Sequence, residues 1–332
     1  VTSVISTKAQ KFRKVMSDTH SPKETEKHWS KTEERGSAKG IMFLFYCFKF
    51  FGATVCKIFM LPVLLYFYMF NGSARKHVGD YLKQHDLHFG GKIFSQRQVF
   101  KVFINFGFGV IDRLSAWQGQ FKKLKLHKSN SQVFLDMREA QKGGVIIISH
   151  LGNFEISRIA SAKNKGAKFN IFMHTKNAKK ITLALEKINP GYASSLIQGD
   201  ELTMKTAIEL KEKVEQGEFV VIAGDRTPVA NESAVTEVEF MGKTAQLPIG
   251  PYVMAKVLNC PVLTLFCTHT QAGYHVQFNQ LASQVNFNKK NRDAVIQQLA
   301  QTYANQLAQT AKNSPLQWYN FHDFWKKRKA SL

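Results

Sequence analysis

At 332 residues and 44% hydrophobic content, the chain can bury a sizeable core, which excludes a wholly disordered protein and suits one large domain or a core with an appendage. Forty-six Lys and Arg stand against 24 Asp and Glu, a formal charge of +22, although charged residues are only 21% of the chain; acid is scarce rather than base abundant. Such a field attracts polyanions, namely nucleic acid, an anionic membrane face or an acidic carrier protein, and 27 Phe tilt the balance toward lipid.

Residues 1–40 form a polar, Lys-rich segment of the kind that is usually solvated. It has no charged, apolar and cleavage regions in the order of a secretory signal, so the chain reads as one that is not secreted. Residues 41–70 (IMFLFYCFKFFGATVCKIFMLPVLLYFYMF) are apolar apart from Lys49 and Lys57. From Phe50 to Phe70 the run is long enough to cross a bilayer, with Lys57 able to snorkel and Pro62 placed to kink the helix. A buried hairpin of a soluble core is the alternative, but such cores rarely gather so many Phe and Tyr in one run. Basic residues crowd both flanks: Lys27, Lys31, Arg35 and Lys39 before, Arg75, Lys76 and Lys83 after. The positive-inside rule therefore gives no orientation, and a monotopic or re-entrant element on an anionic leaflet fits as well.

Residues 71–140 read mostly as helix, and 71–332 as the catalytic domain. Beyond Gly143 the pattern alternates β and α. Strands are expected at Val145–Ser149, Phe169–Met173, Phe219–Ala223, Glu237–Phe240, Val262–Cys267 and Tyr274–Phe278, with helices at Leu202–Gln216 and Pro251–Leu258. A last helix runs from about Lys289 to Lys312, with Val295, Leu299, Tyr303 and Leu307 on one face, Asn288 as its cap and Pro315 after its end. Continuous apolar strands alternating with helices predict an α/β fold: a central, mostly parallel or mixed sheet flanked by helices, preceded by the membrane-associated apolar segment. Chemistry in such sheets sits at the carboxyl ends of strands. The four cysteines form no CxxC pair, so they read as reduced residues, with neither a structural zinc nor a disulfide framework.

Two strands end in polar clusters, Ser149-His150-Leu151-Gly152-Asn153-Phe154-Glu155 and Gly224-Asp225-Arg226-Thr227-Pro228. A His with an acid five residues on is a weak pattern, and His28–Glu33 repeats it by chance in the polar segment. Context separates the two. His150 follows an Ile run, Gly152 allows a tight turn, and Asn153 can cap the helix that follows. Glu155 would then lie in the first helical turn, able to hold the imidazole tautomer while His150 takes a proton from a hydroxyl. The bland alternative is a strand-end His paired with a helix-start acid for stability. Asp225 could cap a helix or hold Arg226, and Arg226 could bind phosphate or polarise a carbonyl oxygen; an ordinary surface turn is the alternative. His174 and Lys176 follow the second strand, where a solvated basic turn is the slightly favoured reading, and Lys243 occupies a hairpin, where a Lys is usually just solvated. P-loop, GxGxxG, HExxH and GxSxG motifs are all missing from the sequence, so no cofactor and no metal are expected. Dispersed basic residues without a recognition motif argue against nucleic acid.

Taken together, SHLGNFE at 149–155, AGDRTPV at 223–229, FMGK and LPIGPYVMA within 240–255, PLQWYNFHDFW at 315–325 and HWS…ERGS within 28–37 resemble the lysophospholipid acyltransferase superfamily. The resemblance lies with the bacterial lipid A biosynthesis (late) acyltransferase branch, and more narrowly with its members found near aryl-polyene-type lipid genes. It implies transfer of a fatty acyl group from an acyl carrier protein or coenzyme A thioester to a hydroxyl of a lipid acceptor. It also implies an N-terminal membrane helix and an α/β domain on the cytoplasmic face of the bacterial inner membrane. The family's His-x4-Asp/Glu pair maps onto His150 and Glu155, its following basic residue onto Arg158, and its later Asp-containing block onto Asp225 and Arg226. Substrate contacts are expected from Asn153, Arg158, His174, Lys176, Asp225, Arg226, Thr227 and Lys243. This chain departs from the lipid A enzymes between the two members of the pair and in GDRTP, so the acceptor need not be lipid A. Two other readings are a non-catalytic protein that binds anionic lipid, and a transferase of aminoacyl or aryl-polyenoyl groups.

Overall fold

The computed structural model describes residues 38–118, 125–173, 186–187, 196–198, 204–226 and 234–326. Three helices come first: α1 (Ala38–Phe70), α2 (Gly72–Phe89) and α3 (Gln96–Trp117). The alternating part follows as β1 (Leu126–Ser129), α4 (Gln132–Glu139), β2 (Gly144–Ile148), α5 (Phe154–Lys165), β3 (Phe169–Met173), β4 (Leu196–Gln198), α6 (Met204–Glu215) and β5 (Phe219–Ala223). The hairpin β6 (Val235–Phe240) and β7 (Lys243–Pro248) leads to α7 (Gly250–Leu258), β8 (Val262–Thr270), β9 (Gly273–Ala282) and α8 (Arg292–Asn313), with a 3-10 turn at Pro315–Gln317.

The main sheet has seven strands in the order β1-β9-β8-β2-β5-β3-β4. Five run parallel, while β9 is antiparallel to β8 and carries β1 parallel to itself. The expected mixed α/β sheet flanked by helices is thus observed. Central strands are buried on both faces: Val145, Ile146 and Ile147 of β2 and Phe219, Val220 and Val221 of β5 are inaccessible or nearly so. One face packs α8, through Ala300, Tyr303, Ala304 and Leu307, together with Trp318 and Phe240. The other packs α4 and α5 through Phe134, Ile156 and Ile159. Phe134 stacks on Phe278 with ring centroids 4.3 Å apart.

Several expectations shift. The short strand β1 lies inside the stretch read as helical; four half-exposed residues paired to an edge carry little apolar signal. Glu237–Phe240 belongs not to the main sheet but to the separate β6–β7 hairpin, whose one-sided burial follows from resting on α8 through Gln301 and the Glu239 backbone. Asn288 does not cap α8. Asn291 occupies that position, while the Asn288 carboxamide oxygen accepts the Lys290 and Asn291 N–H groups in the preceding turn. In α1 the non-helical residue is Gly52 (φ 78, ψ 178), not Pro62, which stays within the helix.

Candidate active site

Strands β2 and β5 are neighbours in exact-length register, Ile148 opposite Ala223. His150 and Asp225 each lie two residues beyond those strand ends, so adjacent strands deliver them to one corner. The Asp225 carboxylate receives the His150 ring at Nδ1 (2.8 Å to Oδ1) and the His150 backbone N–H (2.7 Å to Oδ2). The Trp318 indole N–H donates to the same Oδ2 at 3.0 Å. The His150 carbonyl accepts from the Tyr319 N–H at 3.1 Å. An ionised carboxylate only accepts, so Nδ1 carries the proton and Nε2 keeps its lone pair. The His150 side chain is 33% exposed, while that of Asp225 is 2% exposed.

The loop after His150 is fixed by close backbone approach. Gly152 has φ +79, and a Cβ there would stand 2.0 Å from the Cys267 carbonyl oxygen. Its N–H donates to the Gln317 carbonyl at 2.8 Å, and the Asn153 N–H to the Cys267 carbonyl at 2.7 Å. Trp318 is wholly buried against Tyr81, Phe240 and Phe324, so the C-terminal aromatic block clamps this loop.

Electrostatics favour a neutral imidazole. Burial pushes the His150 pKa below its ordinary value; the Arg226 charge pushes the same way, Asp225 opposes it, and Arg113 adds to the lowering. Burial alone would raise the Asp225 pKa, but His150, the Trp318 N–H and Arg226 together hold it well below the usual carboxylate range. The two directions agree on one pair, a neutral ring donating to an ionised carboxylate.

Expected site residues fall into groups. His150, Asp225 and Arg226 share the corner. The residue on the imidazole is Asp225, where Glu155 was expected; Glu155 sits in the first turn of α5, and its carboxylate bonds the Arg158 Nε at 3.0 Å. That follows from helix geometry, since Arg158 is one turn along on the same face. Both members of this pair are buried. Asn153 is buried too, and its side-chain amide donates to the Gly109 carbonyl of α3 at 2.9 Å. Lys243 lies on the hairpin, its ammonium 5.7 Å from the centre of the Trp325 ring. His174, Lys176 and Thr227 lie outside the described residues. Sequence reasoning missed Arg113, on α3, whose charge acts on His150 and Tyr319, and it missed the role of Trp318. Arg113 carried no local signal; Trp318 stood in a recognised block but without an assigned task.

The model of the family described as bacterial lipid A biosynthesis acyltransferase matches residues 85–327, a stretch that includes every residue of this corner. A search of curated proteins found no match.

Proposed function

Because the chain belongs to the bacterial lipid A biosynthesis acyltransferase family, and is by that membership an acyltransferase, we propose that it moves an acyl chain from a thioester to a hydroxyl of a lipid acceptor with His150 as general base. The observation that carries this reading is the imidazole tied to Asp225 through Nδ1, which leaves a basic Nε2 on a partly exposed ring. The donor is an acyl carrier protein or coenzyme A thioester, and the basic field of the chain favours such acidic donors.

In the reaction, Nε2 takes the hydroxyl proton as the oxygen attacks the thioester carbonyl. The new C–O bond gives a tetrahedral oxyanion, which the guanidinium groups of Arg226 and Arg113 stabilise by charge. Collapse breaks the C–S bond, and the departing thiolate takes the proton from the imidazolium. Asp225 keeps the tautomer and steadies the ring while it is charged. Glu155 and Arg158 act as positioning residues, fixing the start of α5 beside the turn at Gly152. The lipid acceptor reaches the site from an anionic leaflet of the bacterial inner membrane, with the domain on the cytoplasmic side.

His150→Ala should lower acyl transfer by about 10²–10⁴-fold while the chain still folds and attaches to membranes. The check is thioester consumption together with mass spectrometry of the lipid product. Transfer at the unmodified rate by the folded variant would remove this mechanism.

A further inference from the structure

We propose that the apolar run does not cross the bilayer. It lies as a bent wedge in one leaflet, with Lys39 before it and Lys92 after it on the same side. This rests on the membrane attachment proposed above and deepens it. By length and composition Met42–Phe70 could span, with 29 residues and mean hydropathy 1.9. Two features of its geometry argue otherwise.

The first is the break at Gly52, whose φ 78 and ψ 178 belong to a region open essentially to glycine. On a continuous helix, positions 47 and 56 lie on opposite faces and about 13.5 Å apart along the axis. Here the Cys47 and Cys56 thiols interact. The segment before Gly52 therefore folds back toward the one after it. Residues from both segments, Phe48 and Cys56 among them, bury against Ile111 and Leu114 of α3.

The second is what the later segment lies on. It runs antiparallel along α3: Lys57 pairs with Asp112 at 3.0 Å, Leu64 fits over Gly107, and Tyr68 meets Phe103 and Phe100. Helix α3 is part of the domain's interior. Its Asp112 accepts from Tyr274 of β9 at 2.7 Å, its Asn105 bonds the Leu316 carbonyl, and its Gly109 bonds Asn153. A spanning arm would draw α3, and the domain tied to it by these contacts, into the hydrocarbon, where the domain's exposed polar groups would lose their water.

The outward face is apolar apart from Lys49, which is exposed beside the break and whose stem can carry its ammonium toward the headgroups. Phe50, Phe51, Phe59, Tyr66, Met69 and Phe70 are all more than half exposed. Arg75 and Lys76 follow at once in sequence, Arg75 holding the carbonyls of Tyr68 and Met69. An apolar face edged by cations fits the headgroup and upper acyl region of an anionic leaflet, which is the occupant proposed here.

The test uses the native chain in sealed right-side-out and inverted inner-membrane vesicles, labelled with a membrane-impermeant amine reagent. Lys39, before the run, and Lys92, after it, are read by peptide mass spectrometry. Both should label in the same vesicle orientation and lose that label in the other. Labelling of Lys39 only from the side opposite Lys92 would overturn the wedge, yet leave membrane attachment and catalysis by His150 standing. Recovery of the chain as a dimer in the aqueous fraction would overturn it differently, by making the apolar face a contact between copies.

Discussion

The His150–Asp225 corner and the apolar arm are built on opposite principles. At the corner, His150 is held at its ring, its N–H and its carbonyl by residues from two separate stretches, Asp225 and Tyr319. The arm is held on one side only, mostly by interdigitated apolar side chains, with the Lys57–Asp112 ion pair and the Tyr68–Gln96 hydrogen bond beside them. At the corner every atom has a direction, so even an isosteric change alters chemistry. In the arm only apolarity and shape matter, so one hydrophobe can replace another with modest cost. Position is what the first region supplies, and affinity for a phase what the second supplies.

The sharpest way to break the corner without touching the side chain of His150 or Asp225 is Gly152→Ala. The added Cβ meets the Cys267 carbonyl at 2.0 Å, and φ +79 is strained for alanine. Backbone must move, so a loss of about 3 kcal/mol or more and near-complete loss of transfer are expected together. Thermal unfolding in detergent and a transfer assay check both.

Acid should separate the regions next. The His150 pKa is lowered from 6.5 and that of Asp225 from 3.8, so the unfolded chain binds more protons than the folded one in both ranges. Their stabilisation is complete above 6.5. It declines as pH falls below that value through His150, and again below 3.8 through Asp225. Melting temperatures measured against pH should fall in that order, and His150→Gln should shrink the upper step, to which buried His85, its pKa also lowered by burial, contributes the rest.

The smallest effect belongs to the arm. Lys57→Met removes the cation but keeps the length and apolar stem. A cost of about 1 kcal/mol is expected, with the transfer rate within about twofold of the parent, since Lys57 touches neither His150 nor Asp225. A kinetic loss comparable to that of a corner variant would erase the contrast between the regions.

How far the sequence discloses these regions follows the same divide. Apolar runs announce themselves, so β2, β3, β5 and the later helices, and the arm itself, were legible from periodicity and composition. Both strand-end clusters were also legible. What was hidden is the partnership. Asp225 meets His150 because β5 lies beside β2 in the sheet, a neighbour relation 75 residues long in sequence that no local pattern encodes. Glu155 attracted the assignment because five-residue spacing is visible, whereas strand order is not. The break at Gly52 was overlooked for a related reason. Proline is the loud helix breaker, but Pro62 loses only one backbone donor, and glycine leaves the helical region at least cost when packing asks for a turn.

The most direct test of His150 as a base anchored by Asp225 is the transfer rate of Asp225→Asn beside Glu155→Gln, measured at neutral pH on folded protein. Asp225→Asn should lose about 10²–10⁴-fold, because the carboxamide can present an N–H to Nδ1 and reverse the tautomer, while Glu155→Gln should lose far less. An Asp225→Asn enzyme at the parental rate, or a Glu155→Gln enzyme that falls further, would contradict it.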